Sequence, residues 1–204
     1  ELLDQLAAPH PSVDVLGLKG TVGAHVAAEL LRSTQQTGLI VVPDEVDAEQ
    51  WTTDLQFFLG DTMTVLQLPR FESTTLSHLG SERRTVMKLH GTLSTVIWAE
   101  QPVVLVATAS ALQRKVMPRT AFDEATQLLN TQMEIDRDDF ARSLTDAGYL
   151  AVPAVEDPGT FALRGAVLDL FPAGSTHPFR IELWGDEIES MRPFSASSQR
   201  CTSS

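Results

Sequence analysis

The chain is poor in cysteine and in positive charge. Cys201 is its single thiol, and 15 Lys and Arg stand against 27 Asp and Glu. One thiol excludes an internal disulfide and fits a reducing cytosol, so the expected setting is cytoplasmic. The formal net charge of −12 argues against an autonomous grip on DNA, because phosphate neutralisation by Lys and Arg supplies most non-specific affinity. No basic stripe offsets it. No run is long and apolar enough to cross a membrane: the most apolar region, Thr95–Leu112, is broken by Glu100, Gln101 and Pro102. No signal peptide is visible, and the first residue is Glu1 and not methionine, as in a trimmed piece of a longer protein. Catalytic and metal-binding constellations are also missing. His10, His25, His78, His90 and His177 are scattered, without the i, i+4 pairing of a zinc site. Ser73, Ser77 and Ser81 carry no nucleophile elbow. Glu187 and Glu189, on one strand beside a turn, read as a solvated edge and not as an acid/base pair.

What is present is enough apolar residue, 43%, for one large or two small domains with cores of their own. In the first part, strands and helices alternate. Val13–Leu16 is a candidate strand, followed by a glycine-rich turn and a helix with Val26, Ala27, Leu30 and Leu31 as its stripe. Gly38–Pro43 is an uninterrupted apolar strand of the kind covered on both faces. Asp44 caps a helix carrying Ala48, Trp51, Leu55, Phe58 and Leu59 at helical spacing, with Asp47 three residues on. Thr64–Leu68 is a strand, Ser81 and Glu82 open a helix with Val86, Leu89 and Leu93, Val103–Val106 is a buried strand, and Ser110–Val116 is a short basic helix stopped by Pro118. This order predicts an α/β domain with a parallel sheet over residues 1–117.

After Pro118 the grammar changes. Gln127–Met133 is a candidate strand, Asp136–Ala147 a helix with Asp136 as N-cap and Gly148 as its stop, and Tyr149–Val155 a further extended segment. Residues 157–200 then read as an antiparallel meander: runs Thr160–Arg164, the segment after Gly165 to Pro172, Phe179–Trp184 and Glu187–Phe194, with Gly185-Asp186 in a tight hairpin. The prediction is an α+β domain over 118–204. Alternation puts Phe179, Ile181 and Leu183 on the buried face, and Arg180, Glu182 and Trp184 on the other. It likewise opposes Phe161 and Leu163 to Ala162 and Arg164. Trp and Arg are enriched on binding surfaces, whereas the plainer reading is a solvated face with one aromatic over it.

The turn Gly17-Leu18-Lys19-Gly20-Thr21-Val22-Gly23 occupies the place of a P-loop, G-x-x-x-x-G-K-[ST]. Registered from Gly17, the positions that should hold glycine, lysine and the magnesium-binding hydroxyl are Val22, Gly23 and Ala24, and Lys19 is misplaced. A dinucleotide fingerprint fails as well, since the glycines fall at 17, 20 and 23. Neither ATP nor Mg is expected to bind this stretch.

The segments G-T-F-A-L-R-G-A-V-L-D-L-F-P-A-G-S, P-F-R-I-E-L-W-G-D-E-I-E-S-M-R-P-F and S-Q-R resemble, in fixed order, the amino-terminal region of transcription-repair coupling factors, a module shared with the excision-repair protein UvrB. The resemblance continues more loosely upstream. It implies a degenerate RecA-like first domain, because the coupling factors keep the motor shape without a working P-loop, whereas UvrB keeps one. It also implies that UvrA is the partner. Arg164 fills the arginine of the family's F-x-x-R-G signature, and Arg180 and Trp184 fill its P-[YF]-R-[ILV]-[DE]-x-aromatic run, where the last position is usually phenylalanine; these are the family's UvrA contacts. Read as successive same-face positions, Arg180 and Trp184 would stand roughly 7 Å apart. Leu150 replaces an arginine common in the family, which would weaken the basic surface. Phe71–Leu76 keeps only part of the family's Trp-Glu-Thr-Leu-Pro-Tyr, and the step to Ser81 leaves no room for UvrB's DNA-clamping hairpin. The resulting expectation is a non-enzymatic recruitment module. RNA polymerase, DNA and the ATP-driven motor would be engaged by other parts of a full-length protein. A nucleotide-dependent UvrB-related enzyme fragment and a free-standing adaptor are the alternatives.

Overall fold

The computed structural model describes residues 12–70 and 79–201. The Phe71–Leu76 motif, His10, His78, Ser73 and Ser77 lie outside the described residues. The chain divides into two compact units, one within Glu1–Arg70 and Val96–Arg114, the other within Phe71–Thr95 and Lys115–Ser204. It passes between them at 70/71, 95/96 and 114/115.

The first unit is α/β. Its elements are α1 (Val22–Thr34), β1 (Gly38–Val42), α2 (Glu45–Leu59), β2 (Thr64–Gln67) and β3 (Val103–Thr108), the strands forming a parallel sheet in the order β1-β3-β2. The start of α2 follows the sequence signal: the Asp44 carboxylate accepts from the Asp47 amide at 2.9 Å. Ile40, Val42, Val65, Val104 and Val106 form the inner face, packed with Ala24, Ala28 and Leu31 of α1 and Ala48, Leu55 and Leu59 of α2. Both helices therefore serve the same sheet face. In consequence β1 is not covered on both sides as its apolar run suggested; Leu39 and Val41 are 53% and 54% exposed. Residues 13–16 form no strand either, and Val15 and Leu16 are exposed. The basic helix expected over 110–116 shrinks to α4 (Ala109–Leu112), a single turn whose amide at Ala111 is capped by Thr108 Oγ1.

The second unit contains α5 (Arg119–Glu124), α6 (Arg137–Asp146), β4 (Leu150–Ala151), β5 (Thr160–Arg164), β6 (Val167–Phe171), β7 (Phe179–Trp184) and β8 (Glu187–Pro193). Asp136 caps α6 by accepting from the amides of Asp138 and Asp139, and Gly148 ends the segment at φ 88°, as its sequence position requires. The sheet order is β4-β5-β6-β7-β8. The meander β5 to β8 is antiparallel, but β4 pairs with β5 in parallel, so the sheet is mixed. Gln127–Met133 is not a strand. It runs beside β8 through isolated bonds, Gln132 N–H to Ile188 O and Ile188 N–H to Met133 O, because Gln132 takes a left-handed φ of 70° that breaks extended pairing. One sheet face carries Phe161, Leu168, Leu170, Ile181, Leu183 and Ile188 against Phe140 and Leu144 of α6.

The helix α3 (Leu79–Trp98) contributes its residues through Thr95 to this unit. Arg83 donates to the carbonyls of Pro158 and Gly159 at 3.3 and 2.9 Å, and Arg84 pairs with Asp157 at 3.0 Å. About two turns further along, Gly91 lies against Gly174 so closely that a Cβ would stand 2.5 Å from the Gly174 Cα and 2.6 Å from the Ala173 carbonyl oxygen. Alanine gains about 1 kcal/mol over glycine inside a helix, yet forced overpacking costs about 1–3 kcal/mol. Here the obstacle is backbone, which cannot swing aside. With the overpacking cost at the upper end of its range, Gly91→Ala should destabilise the protein by about 2 kcal/mol net, read as a lowered urea midpoint; an unchanged or raised midpoint contradicts the close approach.

Candidate partner-binding site

The opposite face of the second sheet is built from the alternate residues of the same strands. Cross-strand pairing sets Ala162 opposite Asp169 and Asp169 opposite Arg180, with Arg192 opposite Arg180 and Ser190 opposite Glu182. Part of this face is dry: Val155, Ala162, Phe171 and Phe194 form a small second core. The polar residues begin where that cluster ends, so the face is not the fully solvated surface that alternation alone predicts.

At its centre is Asp169, 1% exposed. Its Oδ1 accepts from Arg180 Nε at 2.7 Å, and its Oδ2 accepts from Arg180 Nη2 at 2.8 Å and Arg164 Nη2 at 2.7 Å. The Arg180 contact is the two-bond fork that guanidinium and carboxylate make with least geometric cost. Arg180 also lies over the Phe194 ring at 5.0 Å, a cation–π arrangement. The Asp169 hydrogen bonds push the Arg180 guanidinium above its usual pKa range. Beside this group, the Ser190 hydroxyl and then Arg192 hold the Glu182 carboxyl below the ordinary carboxylate range. The side chain of Arg164 is 55% exposed and that of Arg180 22%, while Trp184 is 78% exposed at the end of β7.

The structure thus brings Arg164 and Arg180 to one carboxylate. Trp184 stands further off than expected. It lies four positions beyond Arg180, with Glu182 between them on the same face, so the pleat places it about 13 Å along the strand and not 7 Å. Asp169 itself escaped sequence reading, although a signal existed: aspartate is disfavoured in strands, and this one sits in the middle of Val167-Leu168-Asp169-Leu170-Phe171. Leu150, in the arginine position, is exposed in β4. Glu187 and Glu189 are not a pair; the register slips between Glu182 and Leu183, leaving Glu189 as the extra residue of a bulge. Among the described residues, no group of His, Cys, Asp and Glu could hold a metal ion, and no helix is long and apolar enough to cross a membrane. His90 packs edge-on against Phe122 at 6.0 Å, and burial lowers its pKa.

The glycine turn of the first unit has the required left-handed glycines, Gly17 at φ 81° and Gly20 at φ 58°, but no strand leads into it. Gly23, in the lysine position, faces Trp51: a Cβ there would meet the indole at 3.1 Å. Ala24, in the hydroxyl position, is buried in the core, and Val22 is exposed. Grafting Gly-Lys-Thr at 22–24 would bring a lysine stem against Trp51 and a hydroxyl into an apolar cluster. It should leave the chain without measurable ATP affinity in calorimetry; micromolar binding would contradict this.

Arg164 of β5 and Arg180 of β7 thus converge on one buried carboxylate of β6, and the exposed indole of Trp184 stands further along β7. Residues 128–204, which contain every one of these side chains, match the UvrB interaction domain family. The whole chain is similar to the transcription-repair-coupling factor of Myxococcus xanthus, 35% identical over 98% of this chain and 17% of the relative. It is also similar to that of Escherichia coli, 29% identical over 90% of this chain and 16% of the relative. UvrABC system protein B of Bacillus subtilis is 24% identical over 89% of this chain and 29% of its own length. Residues 128–204 thus match the UvrB interaction domain, and the chain as a whole is similar to a region of the coupling factors and of UvrABC system protein B. It spans less than a fifth of the length of the coupling factors it matches.

Proposed function

We propose that the polar face of the second sheet docks UvrA, and that the chain serves as the recruitment module of a transcription-repair coupling factor in nucleotide excision repair, without catalysis of its own. The observation that carries this reading is the gathering of Arg164 and Arg180 on Asp169, inside the interaction-domain match and with Arg180 on the strand that exposes Trp184. Guanidinium groups recognise carboxylates through charge-assisted bonds, and an exposed indole supplies the large apolar anchor typical of an interface hot spot. The first unit reads as a degenerate motor-like domain, its turn occupied by Val22, Gly23 and Ala24, with no ATP or Mg requirement. RNA polymerase and DNA would be engaged by other parts of such a coupling factor, in the cytoplasm. Of Arg83, Arg84 and Lys88, the residues a DNA-binding patch would first draw on, Arg83 donates to the carbonyls of Pro158 and Gly159 and Arg84 pairs with Asp157. The test is calorimetric titration of purified UvrA with the 204-residue chain. A saturable one-site isotherm supports the proposal; absence of binding at micromolar concentrations of both proteins rejects it.

A further inference from the structure

Resting on that reading of the site, we infer that Asp169 is its positioning residue: a buried carboxylate that fixes two guanidinium groups so that together they receive one carboxylate of the partner. Three observations point this way. Asp169 is 1% exposed, so it does not itself meet a partner. It makes three hydrogen bonds of 2.7–2.8 Å, engaging both Arg164 and Arg180, whose strands it separates in the sheet. Arg180 is held from a second side by the Phe194 ring, so the fork to Asp169 fixes its plane as well as its position.

Each guanidinium has more N–H donors than Asp169 uses. A long, flexible arginine loses rotamer freedom on binding; here that freedom has already been lost in folding. Charge counting gives the stoichiometry. Two guanidinium groups and one carboxylate leave a single positive charge, and Glu182 is already occupied by Arg192 at 2.5 Å and Ser190 at 3.0 Å. The cluster is therefore complementary to one acidic side chain and not to an acidic run.

A positioning role and a simple charge role predict opposite signs. If Asp169 only dilutes the positive charge of the face, Asp169→Asn makes the face more positive and tightens binding to an acidic partner. If it positions the arginines, the amide cannot accept the full fork from Arg180, the two cations repel, and binding weakens. The experiment measures UvrA affinity by calorimetry for wild type, Asp169→Asn, Arg164→Ala, Trp184→Ala and the double variant of Asp169→Asn with Arg164→Ala, each with a melting curve. Arg180 Nε–H exchange is followed by nitrogen-15 NMR in the free proteins. The expected results are a protected Arg180 Nε–H in wild type that exchanges freely in Asp169→Asn, and an affinity loss of about tenfold or more for Asp169→Asn. The double variant should bind no more weakly than the worse single one, because both changes disable the same cluster. Unaltered or tighter binding by Asp169→Asn overturns the inference, as does full additivity in the double variant. Should Asp169→Asn fail to fold, the wild-type signal still decides, since an unprotected Arg180 Nε–H means that no clamp exists. If Arg164→Ala and Trp184→Ala also leave UvrA binding unaltered, the docking reading itself fails and takes this inference with it; if only Asp169→Asn does so, the docking reading stands and the clamp falls.

Discussion

Trp184→Ala should weaken binding to UvrA by about thirtyfold while the protein melts where the wild type does. The indole is 78% exposed and packs into neither core cluster of the second unit, so its removal opens no cavity. Substitutions at such positions change stability by less than about 0.5 kcal/mol. Truncating an aromatic anchor at the centre of an interface costs on the order of 2 kcal/mol or more of binding free energy. Trp184→Phe should retain most of the affinity, since phenylalanine keeps a large apolar ring at the same exposed position of the strand. Measuring affinity and melting temperature on the same samples separates the two quantities. Wild-type affinity in Trp184→Ala would remove the tryptophan from the site.

Arg180→Ala should behave differently, losing binding and stability together. Sequence alternation put Arg180 on an exposed face, where its loss would cost little. In the structure its side chain is only 22% exposed and forks onto a carboxylate that is 1% exposed. Removing it leaves Asp169 with the single bond from Arg164 and strips the cation from the Phe194 ring. Breaking one side of a buried ion pair destabilises on the order of 3 kcal/mol, because the remaining charge keeps its desolvation cost without its partner. Arg164→Ala should cost less, since that side chain is half exposed and gives Asp169 one bond only. Urea unfolding of the two variants tests the order: a loss below about 0.5 kcal/mol for Arg180→Ala would mean that Asp169 is not held as described. A binding defect in Arg180→Ala is informative only for the folded fraction, so Trp184 is the cleaner probe of the surface.

The degree to which the sequence foretold this molecule varies by element, for identifiable reasons. The meander was legible almost residue by residue. Its strands are short, its turns carry Gly165, Pro172–Ser175 and Gly185-Asp186, and a period of two leaves little freedom once one face is apolar. The caps of α2 and α6 were equally legible, since a capping carboxylate acts within three residues. The strand expected at 13–16 and the basic helix expected over 110–116 failed. Each was a short apolar or charged run that joins none of the core clusters of the described residues, and such runs take their structure from what packs on them.

The site divides in the same way. Alternation along single strands determined that Arg164, Arg180 and Trp184 lie off the core face, because that depends only on the pleat. Which of them meet, how buried each becomes and what holds them was decided by strand pairing. Asp169 lies opposite Arg180 only because β6 pairs with β7 in one register, and it is buried because Phe194, far along the chain, closes a second small core beside it. The two-sided covering expected for β1 likewise depended on which face α1 and α2 chose, and both chose the inner one. Local chemistry fixes turns, caps and faces through contacts a few residues apart; register, burial and charge pairing arise between residues distant in sequence, so only the assembled fold decides them.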